Sequence, residues 1–169
     1  ADYKVAATVN NINILIPLGI NLLGVTDSDV ILARGDVFTS VVPVTQSGCQ
    51  PSADGCNYTV VATPVTPLGT IPIERGFVAV DAQVGEDHIR FVNTHLELRY
   101  PDPTNSLSPS IQSAQATELI LILAGLSNLN SAKIIVVGDI NSSPKDETIT
   151  VENFAIVPPY TQFTNAGYN

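Results

Sequence analysis

Residues 89–97 read IRFVNTHLE and residues 133–144 read KIIVVGDINSSP, and the way these two stretches are joined decides the fold. Ile89 to Leu96 is an apolar-rich run of strand length. Lys133 to Val137 is a buried strand ending at Gly138. Between them, Tyr100 to Pro109 holds three prolines and reads as a loop. Ser108-Pro109 suits a helix N-cap followed by a first-turn proline. The helix then runs to about Leu126, with polar Gln112, Gln115 and Glu118 near its start and the apolar LILILAGL stretch after them. Strand, helix, strand implies a right-handed crossover, which makes the two strands parallel and brings their carboxyl ends to one edge. Functional residues of sheets with helical crossovers collect at that edge. His95 falls at the end of the first strand, with Asp139 and Asn141 just past the end of the second.

Taken singly, each of these residues has a plain structural reading. A lone histidine at a strand end is more often a satisfied structural group than a catalyst, and Asp-x-Asn after a strand is a common Asx-turn. Their convergence on one edge favours chemistry, because a carboxylate and an amide two residues apart in extended chain point to one side. Asp139, Asn141 and Ser143 also mimic the start of a helix-loop-helix calcium loop. Pro144 stands where that loop needs glycine and Thr150 where it needs the bidentate glutamate, so the match fails.

Working outward, Phe77 to Val84 pairs naturally with the Ile89 run through Gly85-Glu86-Asp87 as a hairpin. Tyr3 to Ile16 and Asp29 to Arg34 read as earlier strands. Residues 45 to 57 read as a loop, and Pro64, Pro67 and Pro72 keep the next stretch extended or at a sheet edge. No repeat, low-complexity tract or linker breaks the chain, so residues 1–169 are expected to be one α/β domain. The apolar run Ile12 to Leu23 is interrupted by Asn13, Pro17, Gly19 and Asn21 and is too short to span a bilayer. No basic leader precedes an apolar stretch within these residues.

With 44% hydrophobic and 14% charged residues the chain is a folded globular one. Its 7 basic against 16 acidic residues give a net charge of −9, which argues against nucleic-acid binding by charge alone. A metal can neutralise a phosphoester instead, so a nuclease stays open. The two cysteines, Cys49 and Cys56, flank a polar loop. A disulfide there implies an oxidising, secreted or periplasmic setting; two separate thiols are the alternative. Asn57-Tyr58-Thr59 fits a glycosylation acceptor, a triplet that also arises by chance.

The stretches DVILAR, ERGFVAVDAQV, FVNTHLE and VVGDINSSP occur in an order and spacing that resemble the endonuclease/exonuclease/phosphatase superfamily. ATVNNINILIPL before them looks like preceding family strands, and PPYTQFTNAGYN looks like the approach to the last catalytic strand. The resemblance implies a two-layer α/β sandwich with mixed sheets, and phosphoester hydrolysis with Mg²⁺ (or Mn²⁺ or Ca²⁺). By that likeness His95 contacts the scissile phosphate, Asp139 orients or deprotonates the attacking water, and Asn141 holds Asp139 or a phosphate oxygen. Asp139 and Asn141 are the implied metal ligands. Arg75 is expected near the phosphate, a surface arginine at a strand start being an equally weighted alternative.

The family also has an early Asn, a metal-binding Glu and a closing Asp-His pair. These are not found here, and Asp2, Asp27 and Asp29 do not sit in that motif. There is no methionine, and the chain opens on Ala1. The expectation is therefore an incomplete domain lacking its outer strands, inactive by itself, binding cations weakly and self-associating through exposed sheet edges. The competing accounts are a non-catalytic binding module on the same scaffold and an unrelated extracellular, strand-rich interaction domain.

Overall fold

The computed structural model describes residues 2–44, 48–67, 69–100, 106–127 and 133–168. Residues 101–105 of the expected proline-rich loop, and 45–47 of the loop before Cys49, lie outside that set. In chain order the elements are β1 (Tyr3–Leu18), β2 (Asn21–Arg34), β3 (Phe38–Val41), β4 (Gln50–Ser52), β5 (Gly55–Asn57), β6 (Val65–Thr66) and β7 (Gly69–Thr70). There follow β8 (Gly76–Val84), β9 (Asp87–His95), α1 (Leu107–Ser127), β10 (Lys133–Asp139), β11 (Ile149–Val151), β12 (Phe154–Ile156) and α2 (Pro159–Asn165).

The centre is a six-stranded mixed sheet in the order β10-β9-β8-β5-β4, with β3 also pairing β8. β8 and β9 form the expected antiparallel hairpin, and β10 lies parallel to β9 with Asp139 directly opposite His95. The α1 crossover is what allows this parallel pairing. Alternation along the strands divides the core. Phe77, Ala79 and Val92 meet Ala116, Leu119, Ile122 and Leu123 of α1 on one face. Val78 and Val80 meet Ala7 and Val9 of the β1–β2 hairpin on the other. The helix buries positions 116, 119, 122, 123 and 126, the i, i+3, i+4, i+7 stripe its sequence encodes.

Three expectations need correction. The strand expected over Asp29 to Arg34 begins at Asn21, because the long ladder with β1 carries the polar TDSD stretch along with it. The supposed loop 45–57 contains the short β4–β5 hairpin, where Pro51 is tolerated because β4 is an edge strand. Ser108 lies inside α1, not at its cap; its hydroxyl donates to the Leu98 carbonyl and accepts from Tyr100 N. The described helices cover the six-stranded sheet on one face, and the β1–β2 hairpin covers part of the other.

Cys49 and Cys56 form a disulfide inside the core, closing a loop with a sequence separation of 7. Closing so short a loop contributes about 2.5 kcal/mol by restricting the unfolded chain. Asn57 is buried and donates to Asn10 O at 2.9 Å, so the glycosylation triplet is not offered at the surface. Among the described residues no helix is long and apolar enough to cross a membrane. β10 is an edge strand, and its Ile135 and Val137 are half exposed.

Arg90 pins α1 to the sheet. Its side chain is 3% exposed, grips Asp81 through Nε and Nη2 (2.7 and 2.8 Å), and donates from Nη1 to the Leu126 carbonyl at 2.8 Å. The hydrogen bond to Asp81 holds its guanidinium above the usual pKa. Arg90→Leu strands the Asp81 carboxylate and uncaps the helix end. We expect a loss of about 2–3 kcal/mol, below the cost of breaking a fully buried pair because Asp81 is partly solvated. A thermal melt should show it as a fall of roughly 5–10 °C.

Candidate active site

The parallel register sets His95 and Asp139 side by side at the carboxyl edge of the sheet. Leu96 N donates to Asp139 O at 3.0 Å, extending the ladder one step past the strand end. The chain then turns sharply. Asp139 Oδ1 accepts from Asn141 N at 2.9 Å, and Asn141 Nδ2 donates to Leu96 O at 2.9 Å. Asn141 adopts φ 48°, a left-handed conformation that asparagine tolerates better than most residues. The Asx-turn read from the sequence is therefore present. The turn uses one Asp139 oxygen and the Asn141 amide nitrogen, and it fixes where the exposed Asp139 carboxylate stands.

His95 follows Phe91 and Asn93 in the alternation of β9 and faces the hairpin side of the sheet. There it meets Arg75, whose Nη1 lies 3.1 Å from His95 Nδ1 and 3.4 Å from Asp27 Oδ2. An arginine has no acceptor, so His95 Nδ1 must accept and the ring proton sits on Nε2. Arg75 thereby fixes the histidine as an outward N–H donor. The arginine is largely buried at 14% exposure, and its Nε has no hydrogen-bond partner among the described residues. Arg75 is thus part of the edge cluster and not a surface residue at a strand start.

Sequence reasoning set Asp27 and Asp29 aside, and the fold brings both inward. The readable signal was period two: both carboxylates are in phase with Ile31 and Ala33, which face the sheet. Asp27 pairs with Arg75, and Asp29 accepts from Asn11 Nδ2 at 2.8 Å. Asn11 sits at a register shift of β1, fully buried, with its Oδ1 unpartnered among the described residues.

Two glutamines at the start of α1 were also passed over. Gln115 accepts from Glu97 N (2.8 Å) and donates to Val60 O (2.9 Å), while Gln112 donates to Asn141 O at 2.6 Å. Both lie on the helical stripe that continues into Leu119 and Ile122, so their phase pointed inward. They tie the helix to the segments carrying His95 and Asp139. Behind them, Tyr58 donates to Thr94 Oγ1 (2.6 Å), which donates to Gly76 O (3.0 Å), locking β9 against the start of β8. Burial pushes the Tyr58 hydroxyl far above the usual phenol pKa, so it stays a neutral donor.

Among the described residues no group of three or more His, Cys, Asp or Glu could hold a metal ion. Asp139 and Asn141 alone offer too few free oxygens for a hard cation, which takes six or more ligands. The residues described here therefore do not by themselves fit a Mg²⁺ site.

No family model and no curated protein matches the chain. Among solved structures it is similar to the human nocturnin catalytic domain with bound sulfate anion, at 15% identity and a TM-score of 0.44, over 83% of this chain and 45% of that one. It is also similar to beta toxin from Staphylococcus aureus, at 14% identity and a TM-score of 0.39, over 54% of this chain and 28% of that one. The chain spans less than half the length of either structure. Likeness at this distance fixes neither family nor activity.

Proposed function

We propose that this chain carries the phosphate-handling part of a metal-dependent phosphoester hydrolase of the endonuclease/exonuclease/phosphatase type. The observation behind this reading is the Arg75–His95 contact at the sheet edge where Asp139 lies opposite. Arg75 and the His95 Nε2–H supply donors to phosphoryl oxygens and stabilise charge developing there. Asp139 holds or deprotonates the attacking water, and Asn141 fixes the turn that presents it. The two-layer sandwich and the divalent cation (Mg²⁺, Mn²⁺ or Ca²⁺) belong to the same proposal. Further cation ligands must come from outside the described cluster, so these residues alone are proposed to turn over little substrate. We place the protein in an oxidising compartment, secreted or periplasmic, in keeping with its disulfide.

Inorganic phosphate titrated into the full chain tests the anion site without turnover. The chain has only two histidines, His88 and His95, so their imidazole NMR signals are easily separated. We expect saturable shifts at His95 but not at His88, abolished by Arg75→Met. Equal or absent shifts at both rings would remove the proposed site.

A non-catalytic phosphate-binding module is the second reading. It is favoured by the Asp139 oxygen and Asn141 amide already engaged in their own turn. It shares the phosphate titration and parts from the first reading at turnover.

A further inference from the structure

The hydrogen bonds that seat the β1–β2 hairpin on the sheet reach as far as Asn10 and Asp27. Asn93 Nδ2 lies 3.4 Å from Val30 O, and Asp27 reaches Arg75 beside His95. Followed from Val30 to Asp27, β2 therefore runs along β9 toward its carboxyl end. The same ribbon continues past the edge that holds the candidate site, staying paired from Ile14↔Val25 to Leu18↔Asn21. Those five pairs span about 16 Å.

This overhang has an unusual surface. No charged residue lies between Lys4 and Asp27. Opposed residues of an antiparallel pair share a face, so Ile14, Val25, Ile16, Leu23 and Leu18 lie on one side, with Asn21 beside Leu18 at its end. Leu15, Pro17 and Leu22 lie on the other. Ile20 at the tip is fully exposed, and Leu15 and Leu22 are each about two-thirds exposed.

We infer that this ribbon tip docks on a zwitterionic lipid surface. A groove in a protein partner covers one face of a ribbon, whereas here both faces are apolar. Pairing edge to edge with a second copy extends the ladder but leaves both faces in water. A lipid interface surrounds the tip on all sides. The depth is limited, because the outer edges of a two-stranded ribbon carry backbone groups that cannot be left unpaired in hydrocarbon. Seating at the head-group boundary, about 5–10 Å deep, satisfies both demands. Charge selects the lipid: a chain of net charge −9 with an uncharged tip has no attraction for anionic head groups. Docking brings the head-group plane to the Arg75–His95–Asp139 edge, so a phosphoester carried on a lipid is the substrate class. That last step rests on the phosphoester-hydrolase reading; the docking does not.

Flotation of the full chain with phosphatidylcholine vesicles tests it. Wild type is expected to float, and a Leu18→Asn, Ile20→Asn, Leu22→Asn variant with an unchanged melt is expected to lose roughly 100-fold in partitioning. His95→Ala should float like wild type. The protein has no tryptophan, so Ile20→Trp provides a single reporter whose emission should shift to the blue on vesicles. The inference is overturned by a wild type that stays with the solvent, by a triple variant that floats equally, or by tip substitutions that only dissociate a dimer. Failed flotation with a retained phosphate site sinks the docking alone. Flotation without phosphate binding at His95 sinks the hydrolase reading alone.

Discussion

On the proposed phosphoester-hydrolase reading, His95→Ala is expected to lower kcat for phosphodiester hydrolysis by ~10²–10⁴-fold, measured with saturating Mg²⁺. The size follows from what the ring does. Arg75 occupies Nδ1, so the outward Nε2–H is a pre-aimed donor that need not reorganise as charge builds on the phosphoryl oxygens. Alanine removes that donor and also leaves the Arg75 Nη1 contact unfilled. His95→Gln keeps an N–H donor of similar reach and should recover part of the loss. Arg75→Lys should behave differently, since a lysine ammonium does not place its nitrogen where Arg75 Nη1 meets both Asp27 and the histidine. It is expected to raise KM as well as lower kcat. An unchanged kcat in His95→Ala, with wild-type melting behaviour, would place the chemistry elsewhere.

The crossover that creates this edge was legible in the sequence, and the partners of its residues were not. Period and punctuation located β9, α1 and β10, and the helical crossover put the His95 and Asp139 ends on one edge; the register that sets them opposite is seen only in the structure. Those rules act on local pattern and on one strong chirality constraint. Asp27 escaped because its role depends on a register between the β1–β2 hairpin and the sheet, a contact between residues 48 apart in the chain. Its inward phase was readable, but which residue it would face was not. Gln112 and Gln115 escaped for the opposite reason: they are polar, and polarity was allowed to outweigh their position on the buried stripe. Gln115 is tolerable there because both ends of its amide find backbone partners, while Gln112 is held through its Nε2 and leaves Oε1 unpartnered among the described residues. Ser108 shows the same tension, being a good capping residue used instead to clamp Leu98 and Tyr100.

Gly138→Ala is expected to be the most damaging single methyl group in the protein. Gly138 is the last glycine before Asp139 and adopts φ 122°, a region that side-chain-bearing residues rarely enter. Space is the second obstacle. A Cβ at this position would collide with the carbonyl of Thr94 and crowd the Asn93 side chain and the Thr94 amide. These neighbours belong to β9, the strand paired with β10, so relief requires the two strands to separate or the backbone to flip. Separation breaks the ladder on which the His95–Asp139 register depends; a flip sends Asp139 away from the edge. Strain in the backbone and overpacking each cost about 1–3 kcal/mol, which together give about 3–5 kcal/mol. A urea titration should show that loss as a lower midpoint. In whatever folded fraction survives, the phosphate-induced shift at His95 should weaken, because the effect reaches the site through register. Gly125→Ala is the control: a methyl there meets nothing within 4 Å, sits in the last turn of α1 and should stabilise by less than about 1 kcal/mol. If Gly138→Ala melts like wild type, β10 does not lie against β9 as described, and the proposed site loses the geometry that assembles it.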